Sequence, residues 1–158
     1  MEIQVKGAVL PDDLDDLCAF DRRVFAQDAF EKEVWEGVEA YWLILDGRRV
    51  GCAAFLANTD FQGDLYGEDM NLPLPGSLYI VSTGIDPDFQ GKRLGEWLKR
   101  WEIEYARANG FTRIVTNCRA GNAPMIRLNQ KVGFKIIRTA PQAYYPDGEP
   151  TTVMELLL

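Results

Sequence analysis

The chain has 158 residues, of which 47% are apolar and 11% aromatic, and its 24 acidic and 17 basic residues give a net charge of −7. This length fits one domain with an ordinary hydrophobic core, so we expect a single domain over residues 1–158. The acidic balance argues against a nucleic-acid partner, because neutralising phosphates requires a basic surface. The chain contains no histidine, which excludes nucleophile systems that pair serine or cysteine with histidine.

The apolar runs and the cysteines indicate the cellular compartment of the protein. The N-terminal segment lacks a basic stretch followed by an apolar one, and the longest apolar runs, such as 40–45, are too short to span a bilayer. We therefore expect a cytoplasmic protein without a membrane partner. Cys18, Cys52 and Cys118 are widely spaced, and the chain has no histidine that could bind a metal together with them. Reduced thiols and no metal site are expected.

The first quarter of the chain predicts one strand and two helices. Residues 2–9 predict a strand, and Pro11 with two acids behind it predicts a helix that runs to Phe25. Asp21 falls on the apolar stripe of that helix, where we expect it to pair with a nearby arginine. A functional role is the alternative for this inward carboxylate. A second helix is predicted over 29–38.

A hairpin and a long loop follow. The runs 40–45 and 50–56 predict two antiparallel strands around Asp46-Gly47, a dipeptide typical of hairpin turns. Residues 58–77 are rich in Gly, Pro, Asp and Asn and have little periodicity, which predicts a long loop. We interpret that loop as a candidate lid or substrate loop, with plain disorder as the alternative.

The second half of the chain predicts four strands and two helices. A buried strand at 78–85 precedes the clearest helix, 91–108. The later elements are a strand at 112–117, a helix at 123–132 capped by Asn122, and strands at 134–139 and 152–158. The fold class is therefore α+β: a mixed, mainly antiparallel sheet of about six or seven strands flanked by about four helices.

The turn before the helix at 91–108 has the features of an anion site. It reads Asp86-Pro87-Asp88-Phe89-Gln90-Gly91-Lys92-Arg93-Leu94-Gly95. A strand that enters a helix through such a turn directs backbone N–H groups and the helix dipole at one point. The glycines allow a ligand to approach closely, and the adjacent Lys and Arg add positive charge. A simple tight turn is the alternative, and the spacing matches neither common nucleotide-binding glycine motif.

Residues 90–95 resemble Gln/Arg-x-x-Gly-x-Gly/Ala, the acetyl-CoA-binding motif of the GNAT superfamily of N-acetyltransferases. The first motif glycine is Arg93 here, a departure that we expect to be tolerated because backbone N–H groups hold the ligand. Residues 122–134 resemble a second family signature, Asn-x-x-x-x-x-Leu-Tyr-x-Lys-x-Gly-Phe. The resemblance implies a GNAT-like fold and direct transfer of an acetyl group from acetyl-CoA to a small-molecule amine or a peptide N-terminus.

The resemblance also implies which residues bind the cofactor. The pantetheine arm would lie beside Thr83, Gly84 and Ile85, and an N–H at Ile85 would polarise the thioester carbonyl. Asn122 would contact CoA, a role compatible with capping its helix. The pyrophosphate would lie on the turn made by Gln90, Gly91, Lys92, Arg93, Leu94, Gly95 and Glu96.

The catalytic positions depart from the family pattern. The tyrosine that commonly protonates the departing thiolate is Asn129 here, and a strand position that carries a glutamate base in some members matches Asn117. An amide can orient a group but is neither an acid nor a base at neutral pH. Asn129 either holds the CoA sulfur or a water, or satisfies strand backbone groups. Tyr145 is the preferred candidate for the proton donor and Tyr144 the second choice, with a surface or core role as the alternative for both. Nothing in the sequence activates Cys118 as a nucleophile.

Two other functions compete with catalysis. An acyl-CoA-binding sensor or interaction domain without activity would explain the two asparagines, and an unrelated phosphate-binding α/β enzyme would bind a nucleotide without affinity for CoA. Acceptor residues are expected in 20–40, 57–76 and 140–150, because variable loops and early helices supply them in such proteins. The sequence leaves open whether the chain forms a homodimer.

Overall fold

The computed structural model describes residues 2–61, 71–141 and 147–158. Its strands are β1 (Ile3–Gly7), β2 (Glu39–Leu45), β3 (Arg48–Phe61), β4 (Asn71–Ile85), β5 (Arg113–Arg119), β6 (Lys135–Ala140) and β7 (Thr151–Leu157). The α-helices in that part of the chain are α1 (Leu14–Phe25), α2 (Lys32–Glu36), α3 (Leu94–Ala108) and α4 (Ala123–Lys131). Short 3₁₀ helices cover Ala26–Asp28 and Pro87–Phe89.

The seven strands form one mixed sheet in the order β1-β2-β3-β4-β5-β7-β6. Strands β4 and β5 are parallel, with Ser77 opposite Arg113. The pairs β1–β2, β2–β3, β5–β7 and β6–β7 are antiparallel. Parallel neighbours need a long crossover connection, which α3 supplies between β4 and β5. The α+β fold class and the strand number predicted from the sequence are confirmed.

The chain divides into two compact units, Met1–Phe55 with Val81–Leu98, and Leu56–Ile80 with Lys99–Leu158. In the first unit, Leu17 of α1 is fully buried and the ring of Phe20 meets Trp42 edge to face, with centroids 5.7 Å apart. Arg49 of β3 lies over Trp42 at 4.4 Å and binds Asp13 and Asp16 at the start of α1, both at 2.9 Å. Aromatic packing and this paired arginine fix α1 in the unit.

The second unit contains a buried ion pair on α3. Lys99 and Glu102 are 2% and 0% exposed at their side chains, and Nζ lies 3.3 Å from Oε2. The Lys99 ammonium also lies 5.9 Å from the centre of the Phe134 ring. Removing one partner of such a pair leaves a buried charge uncompensated, so each side chain requires the other.

The loop predicted over 58–77 is wrong at both of its ends. Strand β3 continues to Phe61 and β4 begins at Asn71. The Asn58 side chain accepts a hydrogen bond from the Gly76 N–H at 3.0 Å, and the Thr59 hydroxyl donates to the Leu72 carbonyl at 3.3 Å. These side-chain bonds hold the two strand arms despite a composition typical of turns. The candidate lid at 62–70 lies outside the described residues.

The predicted element ends differ from the structure at several places. Strand β1 is shorter than the predicted 2–9, and α1 begins after a turn in which the Asp13 carboxylate accepts the Val9 N–H at 2.8 Å. Helix α2 has 5 residues, fewer than the predicted 29–38. Helix α3 begins later than predicted, because Gly91 and Arg93 have φ of 80° and 60°, which is not helical backbone.

Asp21 is buried on the inner face of α1, with 1% exposure. Its Oδ2 accepts the Phe30 N–H at 2.7 Å and the Trp35 indole N–H at 3.1 Å, so the predicted arginine partner is wrong. Within the described residues, Oδ1 is buried without a hydrogen-bond partner. Burial raises the pKa of Asp21, against the opposing effect of these two donors. The carboxylate thus joins α1 to α2 at an electrostatic cost.

We expect Asp21→Asn to change how stability depends on pH. Because burial raises the pKa of Asp21 in the folded protein above its usual range, the wild type loses stability as pH rises through the folded pKa. An asparagine keeps one oxygen for the two donors and has no charge to bury. The free energy of unfolding of Asp21→Asn, relative to the wild type, is therefore expected to increase with pH above about 4 in urea titrations.

The control for this experiment is Asp15→Asn, on the exposed face of the same helix. It removes the same charge without a buried site. An Asp21→Asn effect that stays constant from about pH 4 to about pH 7, or that matches the control, contradicts this account of the buried carboxylate.

Candidate functional site

The turn between β4 and α3 has two residues in left-handed backbone. Gly91 has φ of 80° and Arg93 has φ of 60°. An L-residue pays about 1–2 kcal/mol for this conformation, whereas glycine adopts it freely. The family motif has glycine where this chain has Arg93, so the departure falls at a position whose backbone favours glycine. A Cβ at Gly91 would meet no atom within 4 Å, which leaves the backbone open on that side.

The start of α3 provides backbone donors for an anion. The Trp97 N–H donates to the Arg93 carbonyl at 3.1 Å, which closes the first turn of this 15-residue helix. Amides ahead of Trp97 in that turn have no helical carbonyl four residues behind them, and the positive end of the helix dipole lies there. Lys92 and Arg93 are exposed beside it, while Leu94 is buried and anchors the helix. This local geometry suits a phosphate group.

Asp86 fixes the entry to this turn. Its N–H donates to the Val50 carbonyl at 2.8 Å, and its Oδ1 accepts the Asp88 N–H at 2.8 Å. Arg23, near the end of α1, donates to both Asp86 oxygens at 3.0 Å and to Asp88 Oδ2 at 2.9 Å. Arg23 holds the pKa of Asp86 below its usual range. Arg23 was not identified from the sequence, where only the nearby acids Asp86 and Asp88 signal the need for a cation.

The end of β4 carries the residues predicted to lie along the pantetheine arm. Gly84 is buried, and a Cβ there would lie 3.0 Å from Cε2 of Phe25 and 3.2 Å from Cγ1 of Val24. Helix α1 therefore packs closely where residue 84 has no side chain. The Gln90 side chain donates to the Ile85 carbonyl at 3.3 Å. In this unit the structure joins 83–85 to the glycine turn through one continuous strand, turn and helix.

Asn122 lies in the second unit at the start of α4. Its side chain accepts the Met125 N–H at 3.3 Å, and the residue is exposed. The predicted helix-capping role is confirmed. Its contact with CoA stays a prediction.

The two asparagines at the catalytic positions have internal partners. Asn129 is 1% exposed, its amide donates to Met154 Sδ at 3.6 Å, and in the described residues its Oδ1 is buried without a partner. The Asn117 amide donates to the Tyr79 hydroxyl at 3.3 Å. The partner of Asn129 is thus a thioether and not a strand backbone group. Its predicted contact with the CoA sulfur stays a prediction.

Tyr144 and Tyr145 lie outside the described residues. The segment that follows them is held to the end of β5, because Arg119 binds Asp147 at 2.7 Å and Glu149 at 3.4 Å. Arg119 also lowers the pKa of Asp147. These ion pairs fix Asp147 and Glu149, with which the described chain resumes after the candidate proton donor.

The cysteines are poorly suited to nucleophilic chemistry. All three are free thiols and buried. Burial raises the pKa of Cys118 to about 11 and also raises the pKa of Cys18. A thiol with such a pKa stays protonated at neutral pH and is a weak nucleophile.

The described residues contain neither a cluster of metal ligands nor a membrane-spanning helix. In 2–61, 71–141 and 147–158, no three His, Cys, Asp or Glu side chains converge as metal ligands would. No helix of these same ranges has the length and apolar character needed to cross a membrane.

Comparison with known proteins places this geometry in context. The family model described as "Acetyltransferase (GNAT) family" matches residues 12–134. A mycothiol acetyltransferase from Saccharomonospora viridis is 34% identical over 67 residues, which cover 42% of this chain and 21% of that protein. The chain thus spans about a fifth of that relative's length.

Two further proteins match over most of the chain. A Bacillus subtilis protein, named provisionally as a ribosomal protein bS18 alanine N-acetyltransferase, is 25% identical over 133 residues, covering 82% of this chain and 77% of that protein. The crystal structure of a Bacillus subtilis acetyltransferase in complex with CoA superposes with a TM-score of 0.75 and 18% identity, covering 99% of each chain. At that identity the superposition shows a shared fold.

The left-handed glycine of the turn can be tested by substitution. We expect Gly91→Ala to lower the free energy of unfolding by about 1 kcal/mol, because an alanine is strained at this φ although its Cβ has open space. Gly37→Ala is the matched control, since Gly37 has φ of −103°. That control is expected to be neutral or stabilising by up to about 1 kcal/mol. Equal urea-unfolding free energies for the two variants would contradict the conformational assignment.

Proposed function

Because the chain belongs to the acetyltransferase (GNAT) family, we propose that it transfers the acetyl group of acetyl-CoA to an amine. The observation that carries this proposal is the exposed turn after β4, where left-handed backbone at Gly91 and Arg93 leads directly into the start of α3. A diphosphate needs several backbone donors within one small region, and this turn provides them. A single-domain organisation and a cytoplasmic location belong to the same proposal.

The residues of the first unit fit an acyl-CoA. The pyrophosphate would lie against the amides of residues 91–96, with Lys92 and Arg93 supplying charge. The pantetheine arm would follow the backbone of Thr83, Gly84 and Ile85. The contact of Asn122 with CoA that the family resemblance implies is part of this proposal.

The transfer forms one bond and breaks another. The neutral amine attacks the thioester carbonyl carbon, the C–N bond forms, the C–S bond breaks, and the amine proton leaves for a base or water. The departing thiolate receives a proton. The backbone N–H of Ile85 would stabilise the oxyanion between these steps, since a preset donor costs little reorganisation.

We propose direct transfer and not an acetyl-cysteine intermediate. The buried Cys118 thiol, with its pKa raised to about 11, is a poor nucleophile at neutral pH. The asparagines at 117 and 129 cannot exchange protons, so their part is to orient neighbouring groups. Tyr145 would donate the proton to the thiolate.

The acceptor is proposed as a small-molecule amine or a peptide N-terminus. The relatives named above are, by their names, a mycothiol acetyltransferase and an N-acetyltransferase of the alanine of ribosomal protein bS18. The test is a screen of small amines and peptides that begin with alanine, in which acetyl-CoA turnover is read as release of free thiol. Turnover with at least one acceptor supports the enzyme. CoA binding without turnover favours the acyl-CoA sensor, which the two asparagines also fit.

Gly95→Asp tests the pyrophosphate site. A carboxylate in the first turn of α3 adds bulk and like charge, so we expect it to remove most of the stabilisation that acetyl-CoA gives. For the wild type that stabilisation is about 2.7 kcal/mol at 100 times the dissociation constant. Gly95→Ala is the uncharged control. A folded Gly95→Asp variant with unchanged CoA affinity, measured by calorimetry, would rule out this site.

Tyr145→Phe tests the proposed acid. We expect kcat to fall at least about tenfold, because general acid catalysis contributes typically about 10² to 10⁴-fold. Tyr144→Phe is the matched control, because it removes the same hydroxyl from the neighbouring residue. CoA affinity should stay the same in both variants. Full kcat in both, with the best acceptor, would assign the proton to water or to the substrate.

A further inference from the structure

The entry to the glycine turn carries two negative charges. Asp86 and Asp88 lie just ahead of Gly91 in a chain of net charge −7. Carboxylates so close to a phosphate site oppose the binding of an anion unless their charge is balanced. The Asp86 side chain is only 9% exposed, so solvent screens it little.

Arg23 is the group that balances these two acids. Its Nε and Nη2 donate to the two oxygens of Asp86, each at 3.0 Å, and Nη2 also donates to Asp88 at 2.9 Å. This use of a planar guanidinium fork cannot be reproduced by the single ammonium of a lysine. The Arg23 side chain itself is 48% exposed, so placing its charge beside the turn requires little desolvation.

The other charges that face this cluster are also cations. Arg48 of β3 lowers the pKa of Asp86 by charge, and its guanidinium lies over the Phe89 ring at 5.0 Å. Lys92 lies 6.0 Å from the centre of the same ring. These two cations contact the ring between Asp88 and Gln90, whereas Arg23 is the one that hydrogen-bonds the carboxylates within the described residues.

We propose that Arg23 is a positioning residue for acyl-CoA binding: it hydrogen-bonds Asp86 and Asp88, offsets one of their two negative charges and ties the entry of the glycine turn to the end of α1. The inference rests on the proposed function, because it assumes that the turn binds the CoA diphosphate. Arg23 acts through the turn and not on the reacting atoms. Its loss is therefore expected to raise the KM for acetyl-CoA while kcat at saturation stays within about twofold of the wild type.

The test is calorimetric titration of CoA and acetyl-CoA into the full chain and its variants. Arg23→Gln leaves two unbalanced carboxylates, and we expect the dissociation constant to rise about threefold to tenfold at low salt, with a smaller effect at high salt. Arg23→Lys, which keeps the charge, is expected to fall between Arg23→Gln and the wild type. Arg49→Gln is the matched control, because Arg49 of β3 also binds two carboxylates, those of Asp13 and Asp16 at the other end of α1. It is expected to leave CoA affinity unchanged.

A second pair of variants separates charge from folding. In Arg23→Gln/Asp88→Asn the cluster regains its original net charge, so we expect an affinity within about twofold of the wild type. Asp88→Asn alone, which keeps Arg23, is expected to bind CoA as tightly as the wild type or more tightly. These measurements stand even where Arg23→Gln lowers the melting temperature.

The outcomes of these titrations test separate parts of the proposal. Equal CoA affinity of Arg23→Gln and the wild type, or equal losses in Arg23→Gln and Arg49→Gln, would overturn the assignment of Arg23. A double variant as weak as Arg23→Gln would overturn the electrostatic part. A wild-type chain that binds neither CoA nor acetyl-CoA would overturn the proposed function itself, which is a separate result.

Discussion

The carboxylate of Asp86 is the point on which the first unit depends. It caps the short 3₁₀ helix that follows β4, its backbone N–H bonds to β3, and it receives the arginine of α1. Helix α1 and strand β3, both distant in sequence, thus meet the turn at one residue, ahead of the left-handed backbone at Gly91 and Arg93. The amides of the turn can face one point only if its entry and its exit are both fixed. Asp86 fixes the entry, and the first turn of α3 fixes the exit.

This arrangement resolves a conflict between charge and function. An acidic chain repels a diphosphate at long range, so the proposed diphosphate site requires local donors and local cations. Backbone amides and the helix dipole supply the donors without adding side-chain charge. The cations Lys92 and Arg93 lie in the turn, while Arg23 compensates the two acids that shape it. Of these two acids, Asp86 supplies the carboxylate oxygen that caps the 3₁₀ helix, and Asp88 binds Arg23.

The sequence predicted the elements better than it predicted their partners. Periodicity identified α1 and α3, and Asn122 was recognised as a cap, because these features depend on neighbours in the chain. The strand arms at 58–61 and 71–77 were missed, since their hydrogen bonds join residues far apart in sequence and override a turn-like composition. Asp21 was expected on the inner face and lies there, but its partners are Phe30 and Trp35 and not an arginine. The role of Arg23 could not be predicted either, because its partners Asp86 and Asp88 are distant in sequence and the helix pattern alone places it on the surface.

The interior of the second unit holds two side chains, Asn129 and Cys118, whose chemistry bears on the proposed reaction. Asn129 donates to the Met154 thioether and keeps a buried oxygen without a partner in the described residues, while Cys118 is held in its protonated form by burial. Neither group transfers a proton at neutral pH, so the rate must come from elsewhere. Holding amine and thioester in reactive geometry contributes about 7–11 kcal/mol in favourable systems, far more than one acid or base supplies. An enzyme that relies on alignment needs a rigidly placed acyl donor. A glycine turn fixed at its entry by Asp86 and Arg23, and at its exit by α3, meets that requirement.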